Sequence, residues 1–462
     1  MMWALLCDFG STFTKTRAVD LGTGEVIAAA QAPTTARSDL SEGLGRAISA
    51  LDVEASGEPA VRLACSSAAG GLGMVAIGLT PTLTGEAARQ AALGAGAKLL
   101  RSYSHRLTRA DVAELEQLAA DIVLLAGGTD GGESTIILGN ARMLAASALS
   151  AVIVYAGNRQ CADDAAEVLR AHGKHVEVVE NVLPELGVLN IEPTREIIRQ
   201  MFMRHIVHAK GLDGVQARFA DVVMPTPMAV LEGAKLLAEG MARRVGWGDL
   251  IVVDVGGATT DVHSVAEGTP SQPGVVWKGL PQSRVKRTVE GDLGIRINAS
   301  TIAERLRGDR KWRHHLEGLE ESWIDEQAAS LARTVERLPA SAAERSFDAG
   351  LAAAAVDIAV SRHAGRIERY WGPDGAVRVQ RGKDLSSVRS IVGTGGIFAH
   401  SEDAAGVLRA ALYRSDEPDV LRPRDPRLFL DSEYAMASAG LLARAYPESA
   451  LMLLERTLKE TA

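Results

Sequence analysis

Gly248-Asp-Leu-Ile-Val-Val-Asp254-Val-Gly256-Gly257-Ala-Thr259-Thr260-Asp261-Val-His-Ser-Val265 decides the fold of this 462-residue chain, because its layout occurs twice. An apolar run ends on an aspartate, a small-residue turn follows, and hydroxyl-bearing residues lead into a returning extended run. The N-terminal copy is Trp3-Ala-Leu-Leu-Cys-Asp8-Phe-Gly10-Ser11-Thr12-Phe-Thr-Lys15-Thr-Arg-Ala-Val-Asp20, followed by a Leu-Gly-Thr-Gly turn and a third strand. One such hairpin is an ordinary β-turn. Two of them, one opening each half of the chain, read as a duplicated architecture in which each half lends a loop to a shared cleft.

A third glycine cluster, Ser390-Ile-Val-Gly393-Thr394-Gly395-Gly396-Ile-Phe398, lies between an apolar strand and a helix. That geometry lets backbone N–H groups meet a flat or anionic ligand. The three clusters together suit a nucleoside triphosphate. Such a ligand needs a hard cation, usually Mg²⁺, which keeps several waters and accepts one or two carboxylates. Asp8 and Asp254, each at the end of a buried strand, are the expected metal ligands. Gly10, Ser11 and Thr12 are placed to bind phosphate oxygens from one side, and Gly256, Gly257, Thr259 and Thr260 from the other. Lys15 either adds a point charge on the terminal phosphate or points to solvent. Each hydrogen bond to a charged oxygen contributes about 1.5–3 kcal/mol, so tight binding needs no Walker sequence, and the chain has none.

Composition narrows the classes further. Fifty basic and 58 acidic residues give a net charge of −8, and aromatics make up 4%. An acidic, ring-poor surface argues against nucleic-acid binding. The hydrophobic share of 47% against 23% charged is that of a globular protein, and the length suits two or three packed units. No apolar run reaches the roughly 18 residues that span a bilayer. Cys7, Cys65 and Cys161 are far apart and never form C-x-x-C, which argues against a disulfide framework, a zinc site or a cysteine-held iron–sulfur cluster. Met1 to Asp8 has neither a basic leader nor a small-residue cleavage site, so a cytoplasmic protein without a membrane segment is expected.

From Asp121-Ile-Val-Leu-Leu-Ala-Gly127 to Val176, strands alternate with helices, which predicts a parallel sheet covered on both faces. Thr301 to Tyr370 reads as helical and charge-rich, and Ser432 to Lys459 as helical with a break at Tyr446-Pro447.

The acidic hairpins and Gly393-Thr-Gly-Gly396 resemble the two phosphate motifs and the adenosine motif of the actin-like ATPase superfamily. Met224-Pro225-Thr226-Pro227 onward resembles its first connecting helix, Ala437-Ser-Ala-Gly440 its second, and Arg287-Thr-Val-Glu290-Gly-Asp-Leu-Gly294 the place where relatives contact the adenosine. Leu125 to Gly132, Arg287 to Gly294, Arg362-His-Ala-Gly365 and Gly382-Lys-Asp-Leu385 are similar to signatures of the glutamate-mutase accessory (MutL-type) family, which shares only its letters with the mismatch-repair protein. The resemblance covers essentially the whole chain. It implies an α/β, two-lobed, ribonuclease-H-like fold with ATP and Mg²⁺ in the cleft between lobes. It also implies an ATP-dependent reactivating factor for an adenosylcobalamin-dependent mutase, whose subunits would be its partners, and is compatible with a homo-oligomer. Glu290 is then expected near the adenosine, with Gly393, Thr394, Gly395 and Gly396. Chaperone relatives carry a glutamate at the first connecting helix that positions the attacking water. Here the place holds Met224-Pro225-Thr226, so slow hydrolysis is expected, with Asp8, Asp254 and Asp261 the available catalytic carboxylates.

The expected divisions are 1–220 for the first lobe with its parallel elaboration, 221–432 for the second lobe with a helical subdomain, and 433–462 for helices returning to the first lobe. The Gly127 to Gly132 loop reads either as a ligand or partner loop, or as a turn with Asp130 capping the next helix. His205 and His208 read as structural or surface residues rather than metal ligands, Arg362 and His363 as a solvated helix face in preference to an approach to the nucleotide, and Arg305 to His315 as a solvated or partner-facing run. Other classes compatible with the fold are a small-molecule kinase, an iron–sulfur dehydratase activator, which the cysteine spacing disfavours, and an actin-like filament.

Overall fold

The computed structural model describes residues 2–10, 12–35, 40–53, 57–67, 72–95, 97–207, 221–309, 311–372 and 375–461. The chain forms two compact units: Met1–Ala69 with Val207–Trp277 and Arg284–Ala462, and Gly70–Ile206 with Lys278–Ser283. Among the described residues no helix is long and apolar enough to cross a membrane.

The first unit opens with an antiparallel meander, β1 (Trp3–Phe9), β2 (Phe13–Asp20) and β3 (Val26–Pro33). The helix α1 (Leu40–Ser49) packs on β2 and β3, and β4 (Val61–Ser66) then runs parallel to β1.

The second unit is a parallel sheet of β5 (Gly73–Gly78), β6 (Lys98–Ser104), β7 (Ile122–Leu125), β8 (Val152–Tyr155) and β9 (Val176–Val178), in the order β6-β5-β7-β8-β9. Between these strands run α2 (Thr84–Gly94), α3 (Arg109–Gln117), α4 (Thr135–Ala145) and α5 (Ala162–Ala171), and α6 (Glu192–Val207) leads out. β7 is Ile-Val-Leu-Leu and wholly buried, as a central parallel strand covered on both faces must be. The strand order is the doubly wound one of flavodoxin-like sheets.

Back in the first unit, β10 (Asp221–Pro225) pairs parallel with β4 and completes the order β10-β4-β1-β2-β3. The first sheet thus takes in residues beyond 220, because only a strand arriving after the long crossover can lie parallel on the free edge of β4. Next come α7 (Thr226–Glu239) and a small ribbon of β11 (Gly240–Met241) and β12 (Arg244–Val245). The second sheet repeats the first. β13 (Leu250–Val255), β14 (Thr260–Val265) and, after a short β15 (Val275–Trp277), β16 (Val285–Glu290) form the meander. The helices α8 (Ala299–Gly308), α9 (Glu321–Arg333) and α10 (Ala342–His363) follow, the last opened by a Ser341/Glu344 capping box. The stretch expected to stay helical to Tyr370 instead turns at Ala364. There β17 (Arg366–Gly372) and β18 (Gly375–Arg381) pair as a hairpin with β15 alongside.

β19 (Ser390–Thr394) lies parallel to β13, and α11 (Gly396–His400) and α12 (Ala404–Arg409) lead to β20 (Arg427–Asp431), parallel to β19. The chain ends with α13 (Ala435–Leu442), α14 (Pro447–Thr457) and β21 (Leu458–Glu460), which pairs with β20. The order β16-β14-β13-β19-β20 matches β3-β2-β1-β4-β10 strand for strand. This duplicated three-antiparallel, two-parallel sheet is the ribonuclease-H-like topology of actin-like ATPases.

α7 follows β10 as α13 follows β20, and the two helices cross at glycines. A Cβ on Gly440 would stand 1.7 Å from the Ala229 carbonyl oxygen, and one on Gly233 would stand 2.7 Å from that of Met436. One apolar cluster runs through the crossing. It joins Ala4, Leu6 and Leu63 of the first sheet to Leu250, Val252 and Val392 of the second, with Ala234 and Ala439 between them. A second cluster fills the far face of the second sheet, where Phe347, Leu351 and Val356 of α10 meet Ile251 and Val262.

The charged run ending at His315 is not a solvated face throughout. His315 Nε2 lies 2.9 Å from the buried Asp357 carboxylate, which Arg414 and Arg422 also hold. Burial opposes ionisation there, but these partners keep the Asp357 carboxyl down at about 2. The net effect is a polar pin between the helical subdomain and the segment before β20.

Replacing Gly440 by alanine is expected to destabilise the protein by about 3 kcal/mol or more, since the new methyl meets backbone at the crossing. Gly45→Ala, in α1 with nothing within 4 Å of the new atom, is expected to stabilise by about 0.5–1 kcal/mol. Urea unfolding of both variants checks the contrast.

Candidate functional site

The two acidic hairpins fold by the same rule. In the first, the Gly10 N–H donates to the Phe13 carbonyl at 3.0 Å, and in the second the Gly256 N–H donates to that of Thr259 at 2.9 Å. Donor and acceptor stand at equal distances along the chain from Asp8 and Asp254. The register is shared too: Asp8 pairs with Lys15 across β1 and β2, and Asp254 with Asp261 across β13 and β14. A Cβ on Gly257 would stand 3.4 Å from Thr12 Oγ1, so the loops face each other at van der Waals distance. Ser11 lies outside the described residues, as do His208 and the side chain of His205.

The carboxylates differ in how fully they are satisfied. Asp8 Oδ1 accepts from Thr226 Oγ1 at 2.6 Å, which ties the end of β1 to the first residue of α7. The buried Asp261 is committed: Oδ1 meets Arg287 Nη2 at 2.6 Å and Nε at 2.8 Å, and Oδ2 accepts from Thr259 Oγ1 at 3.0 Å. Among the described residues, Asp254 has no such partner. Loss of water and the charges of Asp261, Asp8 and Asp431 push its carboxyl up to about 7, against an opposing pull from Lys15. The Lys15 ammonium itself lies 3.6 Å from the centre of the Tyr434 ring.

Asp431 is a residue the sequence reading missed. It is buried at the end of β20, accepts from Thr394 Oγ1 at 2.8 Å, and takes the N–H groups of Ala435 at 2.7 Å and Met436 at 3.0 Å at the start of α13. The Thr394–Asp431 bond joins the ends of β19 and β20, and Asp431 carries the link on to the start of α13. An aspartate closing the apolar run Leu428-Phe-Leu-Asp431 just before a helix was the available signal.

The third cluster packs directly on the second hairpin. Gly395 has φ +105°, and a Cβ there would stand 2.4 Å from the Val255 carbonyl oxygen, so glycine is required. Gly396 lies below the Tyr434 hydroxyl, which would be 2.9 Å from a Cβ at that position. Three expected ligand contacts are otherwise engaged. Thr260 is buried and donates to the Leu293 carbonyl at 2.7 Å, Thr394 holds Asp431, and Glu290 is ion-paired with Arg362.

His363 is not on a solvated face. It is buried, with Nε2 and Nδ1 each 2.8 Å from the hydroxyls of Ser264 and Thr288. The buried Lys383 donates to the carbonyls of Ala266 at 2.7 Å and Arg284 at 2.6 Å. The signatures around His363 and Lys383 therefore lock β14 and the strand entry of β16 to the end of α10. In the second unit, Asp130 does not cap α4. Its Oδ1 accepts from the Arg159 N–H and from Asn181 Nδ2, both at 2.9 Å, while Glu133 accepts the Ile136 N–H at the helix start.

The Asp254 shift has a stability consequence of definite sign. A carboxyl raised from 3.8 to about 7 binds a proton in the folded state that the unfolded chain lacks, so stability falls as pH rises from about 4 to 7. Asp254→Asn removes that loss. At pH 8 the ligand-free variant is expected to be more stable than the parent by on the order of 2–4 kcal/mol, the difference vanishing near pH 4, as read by urea titration at each pH.

The family model for MutL protein matches residues 4–458. Protein MutL of Clostridium tetanomorphum is 44% identical over 459 residues, covering 98% of each chain. Solved structures that superpose include the nucleotide-free acetone carboxylase, with TM-score 0.38, 13% identity, and 95% of this chain and 70% of that one covered. The activator of 2-hydroxyisocaproyl-CoA dehydratase from Clostridium difficile with bound ADPNP gives TM-score 0.33 and 10% identity, with 100% of both chains covered. A match along nearly the whole length, at that level of identity to a relative of the same size, means that the chain belongs to the MutL protein family.

Proposed function

We propose that the first unit binds ATP with Mg²⁺ between its two acidic hairpins and hydrolyses it slowly, and that the protein is an ATP-dependent reactivating factor for an adenosylcobalamin-dependent mutase, such as glutamate mutase or an amino mutase. The observation that carries the nucleotide reading is the pair of hairpins in matching register, Asp8 on one and Asp254 on the other, whose loops face each other where Gly257 meets Thr12. The Asp254 carboxyl rises to about 7 because burial and the charges of Asp261, Asp8 and Asp431 outweigh the pull of Lys15, a surplus of negative charge that favours a cation. Asp8 and Asp254 offer carboxylate oxygens, the donors that a hard ion takes. Asp8 and Asp254 would hold Mg²⁺, which when bound neutralises phosphate oxygens. The loop beyond Gly10, with Thr12, and the loop of Gly256 and Gly257 would then supply donors to the phosphates from opposite sides, with Lys15 as a point charge.

Slow turnover follows from what the carboxylates already do. No acidic residue stands at Met224-Pro225-Thr226, and Thr226 is hydrogen-bonded to Asp8. Asp261 has both oxygens occupied. A missing general base costs about 10²–10⁴-fold in rate, which suits a switch better than a metabolic kinase. Mechanical output would come from the α7–α13 crossing, where rigid backbone contact converts a change in loop separation into a change in lobe angle. Shifting such an equilibrium from 1:99 to 99:1 takes about 5.5 kcal/mol of differential affinity, within reach of a terminal phosphate gripped from two sides. The mutase as client is supported by the family resemblance.

Asp8→Ala and Asp254→Ala are each expected to abolish Mg²⁺-dependent ATP binding in titration calorimetry, and full retention by both would sink the site. With a mutase inactivated by damaged cobalamin, the protein and ATP are expected to release the cobalamin and restore activity. A phosphorylated small molecule without any effect on the mutase would favour a kinase instead.

A further inference from the structure

We infer that Tyr434 is a positioning residue that holds Lys15 in the cleft and so makes the site favour a nucleoside triphosphate over a diphosphate. The inference rests on the nucleotide reading of the site and assigns it a selectivity device.

Tyr434 stands at φ 55°, ψ 38°, a left-handed conformation that a bulky side chain rarely adopts. Its surroundings over-determine that turn. The buried Arg17, two residues from Lys15 on β2, donates from Nη1 to the Tyr434 carbonyl at 2.9 Å and to Ser438 Oγ at 2.8 Å. Asp431 holds the N–H groups of Ala435 and Met436 just beyond. Strain kept at one residue by several independent contacts is the pattern of a functional position.

The left-handed turn puts the ring where it serves two motifs at once. On one side lies the Lys15 ammonium, 3.6 Å from the ring centre. On the other lies Gly396, where a Cβ would stand 2.9 Å from the hydroxyl, with the His400 ring 5.8 Å away centre to centre. Burial pushes the phenol well up from its ordinary range, so the ring is a neutral π-face under a cation. One residue thereby connects the first phosphate hairpin, the third glycine cluster and the start of α13.

A lysine side chain has four rotatable bonds, and ordering it at the moment of binding would subtract from affinity. Held over Tyr434, the ammonium stays in the cleft, where its charge already acts on Asp254. A compact cation there contributes most to the ligand with the extra terminal phosphate. Removing the ring should therefore weaken a triphosphate more than a diphosphate.

The test is a double-mutant cycle on the full-length protein with Mg²⁺, measuring binding of the β,γ-imido analogue of ATP and of ADP. Tyr434→Asn keeps a residue that tolerates the left-handed turn and removes the ring. It is expected to weaken the analogue about tenfold and ADP less than about twofold, whereas Tyr434→Phe, which keeps the π-face, should stay within about twofold of the parent for both. In a Lys15→Met background, Tyr434→Asn should add less than about twofold. Tyr434→Gly, which the left-handed turn accommodates at no steric cost and which also removes the ring, should reproduce the selective loss and serves if Tyr434→Asn does not fold. Equal losses for both nucleotides, or independent effects of the Lys15 and Tyr434 changes, would overturn the inference while leaving the nucleotide site intact. A parent protein that binds neither nucleotide would remove the site and the inference together.

Discussion

The crossing of α7 and α13 at Gly233 and Gly440 is the constraint on which the first unit depends. Two helices touch there through backbone, with no side chain to cushion the contact. Each helix begins where its own sheet ends, α7 after β10 and α13 after β20. The crossing therefore couples the separation of the strand ends that carry Asp8 and Asp254 to the angle between the two helices. The shared apolar cluster around it makes the arrangement one cooperative core, and a bulkier residue at either glycine would move both hairpins.

Around that core the charges are unevenly balanced, and the imbalance has a pattern. Asp261 is neutralised by Arg287, Asp431 is absorbed into the start of α13, and Asp8 takes a hydroxyl. Among the described residues, Asp254 keeps its neighbours' repulsion, offset only in part by Lys15. The protein thus tolerates a locally unfavourable charge at the meeting point of its two loops while satisfying the acids around it. Such an exception to good internal pairing is more common at functional positions than elsewhere. The buried hydroxyls on His363 and the carbonyls on Lys383 are the opposite case, polar groups fully paired to hold strands and a helix in register.

The duplicated hairpins, their acidic ends and the three glycine clusters were legible in the sequence, because a turn with its donor and acceptor a fixed number of residues apart leaves a local pattern of small and acidic residues. The alternating strands and helices of the second unit were legible for the same reason, since β7 is a buried run of Ile-Val-Leu-Leu that no other setting explains as well. The roles of single polar residues were not. Thr260 and Thr259 are neighbours of one type, yet one faces the Leu293 carbonyl and the other Asp261. His363 reads as a helix-end histidine and proves buried, because the strands that cover it arrive from residues 264 and 288.

The sequence by itself determined the repeated strand–turn–strand units, the parallel sheet and the membership of the chain in its family, all of which rest on contacts between residues near one another or on patterns of period two and 3.6. Only the tertiary structure decided which carboxylate keeps an unbalanced charge, that Asp431 belongs with Asp8 and Asp254, and that Tyr434 lies under Lys15. Those facts depend on groups hundreds of residues apart in the chain being brought within a few ångströms. Burial and Coulomb interactions act through space, so no local pattern records them.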